Sequence, residues 1–495
     1  MPDRTAEHRR LAARDAGSEG WDRWGPYLSD RAWGTVREDY GTGGDVWGSF
    51  PHDHSRSRAY RWNEDGLAGI SDLRQYLCFA VALWNGEDPI LKERLFGLTG
   101  PEGNHGESVK EEYWHRAATP SHSLLEFLYR YPQHRFPYED LIAGSAARGL
   151  DDPEHTLADT GVLEGGRVFD VTVTYAKAGV DDLLVEIAVT NRGPEPASCH
   201  VLPTLWFRNT WSWGRPDGPM GDVPGRPRME PEEDGVVRAD HPVLGAYRLY
   251  AEGGGAPVFT ENETNRRRLW GDPNPGPAKD AFGEWLIGGD DDALGDGAGT
   301  KAAFVRRLDL GPGASASVRL RLSAEPHVAP FDGFDDLVEQ RRREADAFYR
   351  AVQCEDGTAE QQAVQRAAWA GLVWTKQLYS LDVEQWLDGD PSGHPPWVGE
   401  RRSARNRQWR HLNNHDVHSM PDGWEYPWYA AWDSAFHAVA FAAIDPSFAK
   451  GQLELFTREW YQHPNGQLPA YEWSFADVNP PVHAWAARRL SLIHI

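Results

Sequence analysis

Apolar and polar residues alternate over much of the middle of the chain. Between about residues 160 and 325 the apolar period is two, as in residues 168–175 and 184–190, and glycine, asparagine, aspartate or proline bounds each run. The same pattern recurs at residues 201–208, 246–251, 302–310 and 316–322. A period of two is typical of half-buried strands, so the pattern predicts antiparallel strands that form a large β-sandwich.

After Pro330 the apolar residues recur with helical spacing. We predict helices at residues 334–352, 359–381, 428–444 and 446–463. The third helix should end before Pro446, because proline restricts the residue that precedes it. The order along the chain is therefore a β-rich N-terminal region, a helical linker and the beginning of an all-α region.

Length and charge limit the classes of protein that remain. A chain of 495 residues exceeds what a single hydrophobic core usually supports, so at least two domains are expected. The formal net charge of -24 argues against nucleic acid or an anionic membrane as a partner, because such partners require a basic surface. A neutral ligand fits this charge better.

The cysteines and the N-terminus indicate a cytoplasmic protein. Cys78, Cys199 and Cys354 are widely spaced and form no CxxC pair, which fits reduced thiols. The first ten residues are polar and lack the apolar region of a signal peptide. His52 and His54 have no third or fourth ligand nearby, so no metal site is predicted.

Residues 420–485 are the most distinctive stretch of the chain, because six tryptophans and four tyrosines alternate there with carboxylates and amides. A pyranose ring offers C–H patches to aromatic faces and hydroxyl groups to carboxylates and amides. The pattern therefore indicates a saccharide-binding surface. A tryptophan-rich core between helices would give the same composition, and this alternative stays open.

Three motifs in this stretch carry a resemblance: MPDGWEYPWYAAWD at residues 420–433, HPNGQLPAYEW at 463–473 and DVNPPVHAW at 477–485. Matching stretches in the N-terminal half are residues 31–40, 50–54, 60–66 and 103–107. Together they resemble glycoside hydrolase family 63, and more narrowly the bacterial glucosidases related to mannosylglycerate and glucosylglycerate hydrolases. The resemblance spans nearly the whole chain.

The resemblance implies a multidomain β + α fold, in which an N-terminal β-sandwich domain packs on an (α/α)6 barrel with the sugar in its mouth. It implies a glycosidase that hydrolyses small α-glucosides, α-mannosides or oligosaccharides with inversion. One carboxylic acid and one carboxylate would act roughly 6.5 to 9.5 Å apart. No metal or organic cofactor is implied. The expected partner is a small saccharide, and the sequence does not determine the oligomeric state.

The chain is short for this fold. A barrel of twelve helices needs on the order of 300 residues, whereas 162 residues follow residue 333. We therefore expect a C-terminally truncated fragment, with a β-sandwich domain at residues 20–330, a helical linker at 331–357 and an incomplete barrel at 358–490. Residues 491–495 lose the resemblance and resemble a non-native tail. The family's general acid and base would lie beyond them, so no catalytic residue is assigned and the isolated chain is expected to be inactive.

Matched position by position, the resemblance assigns Trp432 and Asp433 to the pair that clasps the sugar. Tyr429 and Trp428 precede them at the start of the same helix and are expected to line the same wall. The further candidates for substrate binding are Gln467, Tyr471, Glu472, Trp473, Asn479 and His483.

Structural roles are alternatives for several polar residues. Asp433 could instead neutralise a helix end near Arg458 or Arg405. Glu472 lies between aromatic residues, where its pKa could be raised so that it acts as an acid, but it could equally anchor a loop through hydrogen bonds. His437 is expected to be a packing histidine.

Three functional hypotheses follow. The first is a family 63 inverting α-glucosidase-like enzyme, active as the complete gene product. The second is a related (α/α)6 hydrolase of the glucoamylase or trehalase type. The third is a non-catalytic carbohydrate-binding protein, which would be favoured if the reading frame ended at Ile495.

Overall fold

The computed structural model describes most of the chain. The described residues are 5–33, 50–99, 102–104, 108–215, 225–354, 356–392, 405–424, 430–468 and 480–493. Within them the protein combines β-sheets with α-helices. None of the helices in these ranges has both the length and the apolar character needed to cross a bilayer.

The strands and helices follow one another along the chain as follows. The strands are β1 (Trp24–Gly25), β2 (Ile70–Asp72), β3 (Leu77–Trp84), β4 (Gly97–Leu98), β5 (Ser108–Val109), β6 (Glu112–Ala118), β7 (Leu124–Pro132), β8 (Val168–Gly179), β9 (Asp182–Asn191), β10 (Ala197–Phe207), β11 (Arg228–Glu233), β12 (Val236–His241), β13 (Gly245–Ala251), β14 (Val258–Thr260), β15 (Lys301–Ala303), β16 (Arg306–Leu310), β17 (Ser315–Ser323), β18 (Lys376–Asp382) and β19 (Asn413–Ser419). The α-helices are α1 (Ala6–Asp15), α2 (His52–Ser55), α3 (Tyr138–Ala146), α4 (Arg266–Trp270), α5 (Ala281–Leu286), α6 (Phe334–Val352), α7 (Ala359–Trp374), α8 (Val383–Asp388), α9 (Ala431–Phe441), α10 (Pro446–Leu455) and α11 (Val482–Ile493). Short 3-10 helices lie at Leu157–Thr160, Glu164–Gly166, Asp291–Ala293, Arg405–Gln408 and Glu459–Tyr461.

Two large antiparallel sheets contain most of these strands. One runs in the order β1-β2-β3-β10-β15-β14, and β16 also pairs with β10. The other runs in the order β11-β12-β13-β17-β9-β8-β7-β6. Strand β9 shows why these segments become strands, because its buried residues alternate with half-buried ones from Val185 to Asn191. Two small sheets are formed by β18 with β19 and by β4 with β5.

The inward side chains of both large sheets belong to one continuous buried cluster. Phe79 of β3 in the first sheet lies edge-on to Tyr175 of β8 in the second, with ring centroids 6.0 Å apart. The Tyr175 hydroxyl also donates a hydrogen bond to the Ala68 carbonyl at 2.6 Å. Both sheets therefore contribute to the same hydrophobic core.

The structure confirms several predicted elements and corrects others. Helix α6 covers the predicted residues 334–352, and strands β8, β9, β10, β13 and β17 cover the predicted strands at 168–175, 184–190, 201–208, 246–251 and 316–322 to within one residue. The predicted strand at 302–310 is two strands, β15 and β16. The predicted helix at 359–381 was wrong in its last seven residues, because α7 ends at Trp374 and β18 follows.

Helices α9, α10 and α11 pack against one another and carry the C-terminal part of the described chain. Their contact faces are small or apolar, with Ala435, Ala438, Phe441, Leu453 and Leu490 all buried. These side chains belong to the same cluster as the sheet residues, so the helices are continuous with the core of the β-rich region. Predicted helices 428–444 and 446–463 correspond to α9 and α10, each shorter than expected.

The N-terminal helix α1 connects the β-rich and helical regions. Glu7 accepts hydrogen bonds from the Ser121 backbone amide at 2.7 Å and from the Ser121 hydroxyl at 2.8 Å. Arg10 forms an ion pair with Glu344 of α6. Arg14 donates from both terminal nitrogens to the two carboxylate oxygens of Asp445, each at 2.7 Å. Helix α1 therefore contacts the loop between β6 and β7, α6, and the start of α10.

Candidate functional site

Helix α9 positions Trp432 at its exposed side. The helix begins at Ala431, directly after Ala430, whose backbone is extended with φ -136° and ψ 127°. Ala431 and Ala435 face the core, so the intervening Trp432 projects outward and keeps 40% of its surface exposed. The short alanine side chains let this helix lie close to its neighbours while the larger ring stays available.

Helix α11 positions His483 beside the same place. Pro480 and Pro481 come directly before its first residue, and proline is favoured at a helix start because its fixed φ suits the first turn. The imidazole of His483 is half-buried, and burial lowers its pKa below the usual 6.5, although a hydrogen bond to the Leu453 backbone opposes this shift. A neutral imidazole has one nitrogen that can accept a hydrogen bond.

A third segment reaches the site through a tight turn. Gly466 has φ +82°, a conformation that glycine adopts without strain. The turn is closed by hydrogen bonds from the His463 amide to the Gln467 carbonyl at 3.1 Å and from the Gln467 amide to the Asn465 side chain at 2.8 Å. The turn therefore fixes the backbone at Gln467.

These three segments enclose one cavity of about 350 Å³. The residues that line it are Ala431, Trp432, Gln467, Leu468, Pro480, Pro481, His483 and Ala484. Three of the predicted binding residues, Trp432, Gln467 and His483, therefore meet at one place although 51 positions separate the first from the last. The volume lies in the range of small-molecule sites. Its lining is mostly apolar with a few polar groups, as in small-molecule sites generally.

Asp433 lies beside this cavity and is not part of its lining. Successive residues on a helix project about 100° apart, so Asp433 points to a different side of α9 from Trp432. Its carboxyl group is half-buried, and burial raises its pKa above the usual 3.8. It has no ion pair with Arg458 among the described residues, and the Arg405 side chain lies outside them.

The remaining predicted residues differ in where the structure places them. Trp428, Tyr429, Tyr471, Glu472, Trp473 and Asn479 lie outside the described residues. His437 is a packing histidine as expected, because its Nδ1 lies 2.7 Å from the Ser419 hydroxyl and burial lowers its pKa to about 4. His52 packs edge-on against Trp33 and Phe96, with centroids 5.2 and 5.1 Å away. The described part of the chain holds no group of three His, Cys, Asp or Glu side chains placed to bind a metal ion.

Sequence reasoning missed part of the cavity wall. Leu468, Pro480, Pro481 and Ala484 line it, and all four entered the prediction only as part of a motif. Their positions next to Gln467 and His483 were the available signal. A residue that lines a cavity is often flanked by other lining residues on the same turn. The sequence neighbours of each predicted residue were therefore candidates as well.

A second enclosed space lies among buried charges of the β-rich region. The polar side chains around it are Glu64, Asp65, Glu93, Arg94, Thr204, Asn262, Lys279 and Lys301. Burial raises the pKa of Glu64 and lowers that of Lys279, while the two opposite charges stabilise each other. The volume is about 20 Å³, which suits a water molecule and is too small for a sugar ring. This space is therefore an interior ion network, and the saccharide candidate is the cavity at Trp432.

The part of the chain that matches a known family contains the residues that line this cavity. Residues 426–495 match the mannosylglycerate hydrolase MGH1-like glycoside hydrolase domain. Trp432, Gln467 and His483 all lie within that match.

One yeast protein aligns with almost the whole chain. The uncharacterized protein YMR196W of Saccharomyces cerevisiae (strain ATCC 204508 / S288c) is 41% identical over 533 aligned residues, which cover 99% of this chain and 49% of the yeast protein. The chain thus spans about half the length of the curated relative that it matches.

Solved structures give weaker likenesses. The family GH92 α-mannosidase BT3965 from Bacteroides thetaiotaomicron is 10% identical and has a TM-score of 0.26, covering 95% of this chain and 62% of that one. A putative kojibiose phosphorylase from the human microbiome is 8% identical with a TM-score of 0.24, covering 82% and 49%. Likenesses this weak do not demonstrate a shared fold. The family match covers residues 426–495, which are 70 of the 495 residues of the chain.

Proposed function

We propose that the cavity at Trp432 binds a saccharide, and that the protein hydrolyses O-glycosidic bonds of small α-glucosides, α-mannosides or oligosaccharides. One observation carries the proposal. Trp432, Gln467 and His483 belong to three separate motifs and are each predicted to bind the sugar. All three line one cavity inside the stretch that matches a glycoside hydrolase domain. A tryptophan-rich core would instead have buried the Trp432 ring, which is 40% exposed.

The proposed binding mode uses each group according to its chemistry. The exposed face of Trp432 packs on the C–H patch of a pyranose. The Gln467 amide and the His483 imidazole hydrogen-bond the hydroxyl groups around the rim, which fixes the orientation of the ring. Asp433 lies one position further round α9, where its carboxylate can accept hydrogen bonds from a sugar unit at the edge of the cavity.

The proposed architecture follows the domain boundaries expected from the sequence. A β-sandwich at residues 20–330 leads through a linker at 331–357 to helices of an (α/α)6-type barrel at 358–490. The shared core of the two sheets and the mutual packing of α9, α10 and α11 support this arrangement. The cavity then lies at the N-terminal ends of α9 and α11, where two helices present their first turns to a ligand.

Hydrolysis with inversion requires two carboxyl groups on opposite faces of the scissile bond. The described residues that line the cavity contribute no carboxylate. The proposal therefore assigns binding to Trp432, Gln467, His483 and Asp433, and it assigns the acid and base to none of them.

Substitution of Asp433 and Trp432 tests the proposal. A hydrogen bond to a charged group contributes about 1.5 to 3 kcal/mol, so Asp433→Ala is expected to weaken binding of methyl α-glucoside or methyl α-mannoside about 10- to 100-fold by calorimetry. Trp432→Ala should weaken it as well. The control is Trp460→Ala, because Trp460 is 38% exposed but does not line the cavity. Unchanged affinity in both Trp432→Ala and Asp433→Ala, or an equal loss in the control, would remove the cavity from the proposal.

A further inference from the structure

Another cavity lies where helix α1 and the small sheet of β18 and β19 meet α10. Its volume is about 230 Å³, just below the range of about 300 to 1,000 Å³ that small-molecule sites span. The charged residues that line it are Arg14, Asp22, Lys376 and Asp416. It shares none of its described lining residues with the cavity at Trp432. We call it the α10 cavity.

The positive charges at the α10 cavity are matched inside its wall. Arg14 forms ion pairs with Asp445 and Asp15, each at 2.7 Å. The Lys376 ammonium lies 3.3 Å from His122 Nε2 and 3.8 Å from the Asp445 carboxylate. An anionic ligand would therefore gain little from these two cations, and it would also face the two carboxylates.

The negative charges at the α10 cavity are not matched in this way. The Asp22 carboxylate makes no hydrogen bond or ion pair with any residue that the structure describes. Asp416 accepts one hydrogen bond at Oδ2, from the Tyr461 hydroxyl at 2.9 Å, and the buried His418 Nε2 holds that hydroxyl at 2.8 Å. Both carboxylates are half-buried. Their free oxygens can therefore accept from a positively charged donor, which makes the stronger kind of hydrogen bond.

Buried side chains fix the segment that carries Asp22. Lys177 Nζ donates to the carbonyls of Trp21 and Trp24 at 2.5 and 2.6 Å. The Tyr27 hydroxyl donates to the carbonyl of Asp22 itself. The carboxylate is thus held at the cavity before a ligand arrives, and this reduces the entropy that binding costs.

Gly451 leaves room at the same cavity. It lies in the interior of α10, where glycine lowers the stability of a helix relative to alanine. A Cβ at this position would meet no described atom within 4 Å, so close packing does not require glycine here. Gly451 and Phe448 are three residues apart and both line the cavity, so they face the same side of α10. A destabilising glycine without a packing reason indicates that the space beside it is used.

We propose that the α10 cavity binds a small aliphatic amine. Its ammonium group pairs with the carboxylates of Asp22 and Asp416, because an ammonium carries three donors and no acceptor. Its carbon chain lies over Gly451, against the half-buried side chains of Leu73 and Phe448. The inference is independent of the proposed saccharide site. An amine that binds only the folded protein also stabilises the contact between the β-rich region and α10.

Calorimetry with butylamine and putrescine on the 495-residue chain tests the inference. Both amines should bind, and ammonium chloride, which lacks the carbon chain, should bind more weakly. Asp22→Asn and Asp416→Asn should each weaken amine binding about tenfold or more. Gly451→Leu should weaken it at least as much, because the new side chain fills the cavity. Without amine, Gly451→Leu should melt at or above the wild-type temperature, so unfolding does not explain its loss of binding.

Two variants serve as controls. Gly371→Leu adds the same side chain to a helical glycine of α7 outside the cavity, and Asp151→Asn removes an exposed carboxylate elsewhere. Both should keep the wild-type affinity. Binding that persists in Asp22→Asn, Asp416→Asn and Gly451→Leu, or that falls equally in Asp151→Asn, would show only a general attraction of amines to the net charge of -24 and would overturn the inference. Failure of both amines to bind, or equal binding of ammonium chloride, would overturn it as well.

Discussion

The ion pair between Arg14 and Asp445 predicts a large loss of stability when its negative charge is removed. The Asp445 side chain is fully buried, and both of its oxygens accept from Arg14 at 2.7 Å. The Lys376 ammonium lies 3.8 Å away. Asp445 also caps α10 by accepting from the Phe448 amide at 3.1 Å. Asparagine can keep this cap through Oδ1, so Asp445→Asn removes the charge and one of the two oxygens that accept from Arg14.

The magnitude follows from what remains after the substitution. Arg14 and Lys376 are both largely buried, with side-chain exposures of 11% and 3%. Breaking one side of a buried ion pair costs about 3 to 5 kcal/mol, because an uncompensated charge stays inside. Arg14 keeps its ion pair with Asp15 at 2.7 Å, so we expect Asp445→Asn to lose about 3 kcal/mol of the free energy of unfolding, the lower end of this range. Adding Arg14→Met should recover only part of this loss, because the buried Lys376 ammonium still lacks the Asp445 charge.

Urea unfolding followed by circular dichroism measures the free energy, and hydrogen exchange of peptides from α1 and α10 localises the change. Both helices should exchange faster in Asp445→Asn. The control is Glu384→Gln, which breaks the exposed pair between Glu384 and Arg410 and should leave stability unchanged. A loss below about 1 kcal/mol in Asp445→Asn would refute the reasoning from a buried, uncompensated charge.

The same pair gives a pH dependence with a definite sign. Burial alone would raise the pKa of Asp445, but the hydrogen bonds from Arg14 and the charges of Lys376 and Arg14 hold it below the usual 3.8. A lowered pKa means that the carboxylate stabilises the fold above pH 3.8 and loses this effect as the pH falls through the folded-state value. The stability difference between wild type and Asp445→Asn should therefore be constant near neutral pH and shrink below about pH 4.

Three further substitutions test other features of the fold. Gly97→Ala would place a Cβ 2.0 Å from the buried Trp424 ring and should lower the stability of the fold by about 1 to 3 kcal/mol through overpacking. The Cβ of Gly371→Ala in α7 meets nothing within 4 Å, so this substitution should raise the stability by about 0.4 to 1 kcal/mol. Thermal unfolding measures both changes. Burial and then the charge of Asp422 raise the pKa of Asp30 to about 8. Because of this raised pKa, the wild-type fold is most stable at low pH, and its stability falls as the pH rises from about 4 to 8. Asn has no such group, so Asp30→Asn should become more stable than the wild type over that pH range.

Each of these expectations has a contrary outcome. Equal melting temperatures for Gly97→Ala and Gly371→Ala would mean that the Trp424 ring is not held against Gly97. A stability difference between Asp30→Asn and wild type that stays flat from pH 5 to 9 would mean that Asp30 does not hold a proton in the folded protein.

The sequence predicted those elements whose pattern is local and strong. Helix α6 was predicted to its ends because its buried residues Phe334, Val338, Ala345 and Phe348 follow the helical period. Strand β18 was missed because all seven of its residues are buried, so no alternation marks it. Its pairing with β19 is a tertiary contact, and a periodic pattern does not contain that information.

Edge strands and helix geometry account for other differences. Strand β11 was not among the predicted strands, because its sequence is charged, as edge strands often are. Trp432 and Asp433 were predicted as a pair, yet the helix turns adjacent residues to different sides and only Trp432 lines the cavity. Trp432, Gln467 and His483 were predicted to share one site from the motifs that contain them. No local pattern of apolar and polar residues predicts this.

The link between α1 and α10 also affects how the protein is made. Arg14 and Asp445 are 431 positions apart in sequence. At synthesis rates of about 5 to 20 residues per second, the ribosome needs about 20 to 90 s to deliver the partner after Arg14 has appeared. During that interval the first helix of the nascent chain carries a cation whose binding site does not yet exist. Closure of the molecule at this contact is therefore a late event in biosynthesis, however early the sheets assemble.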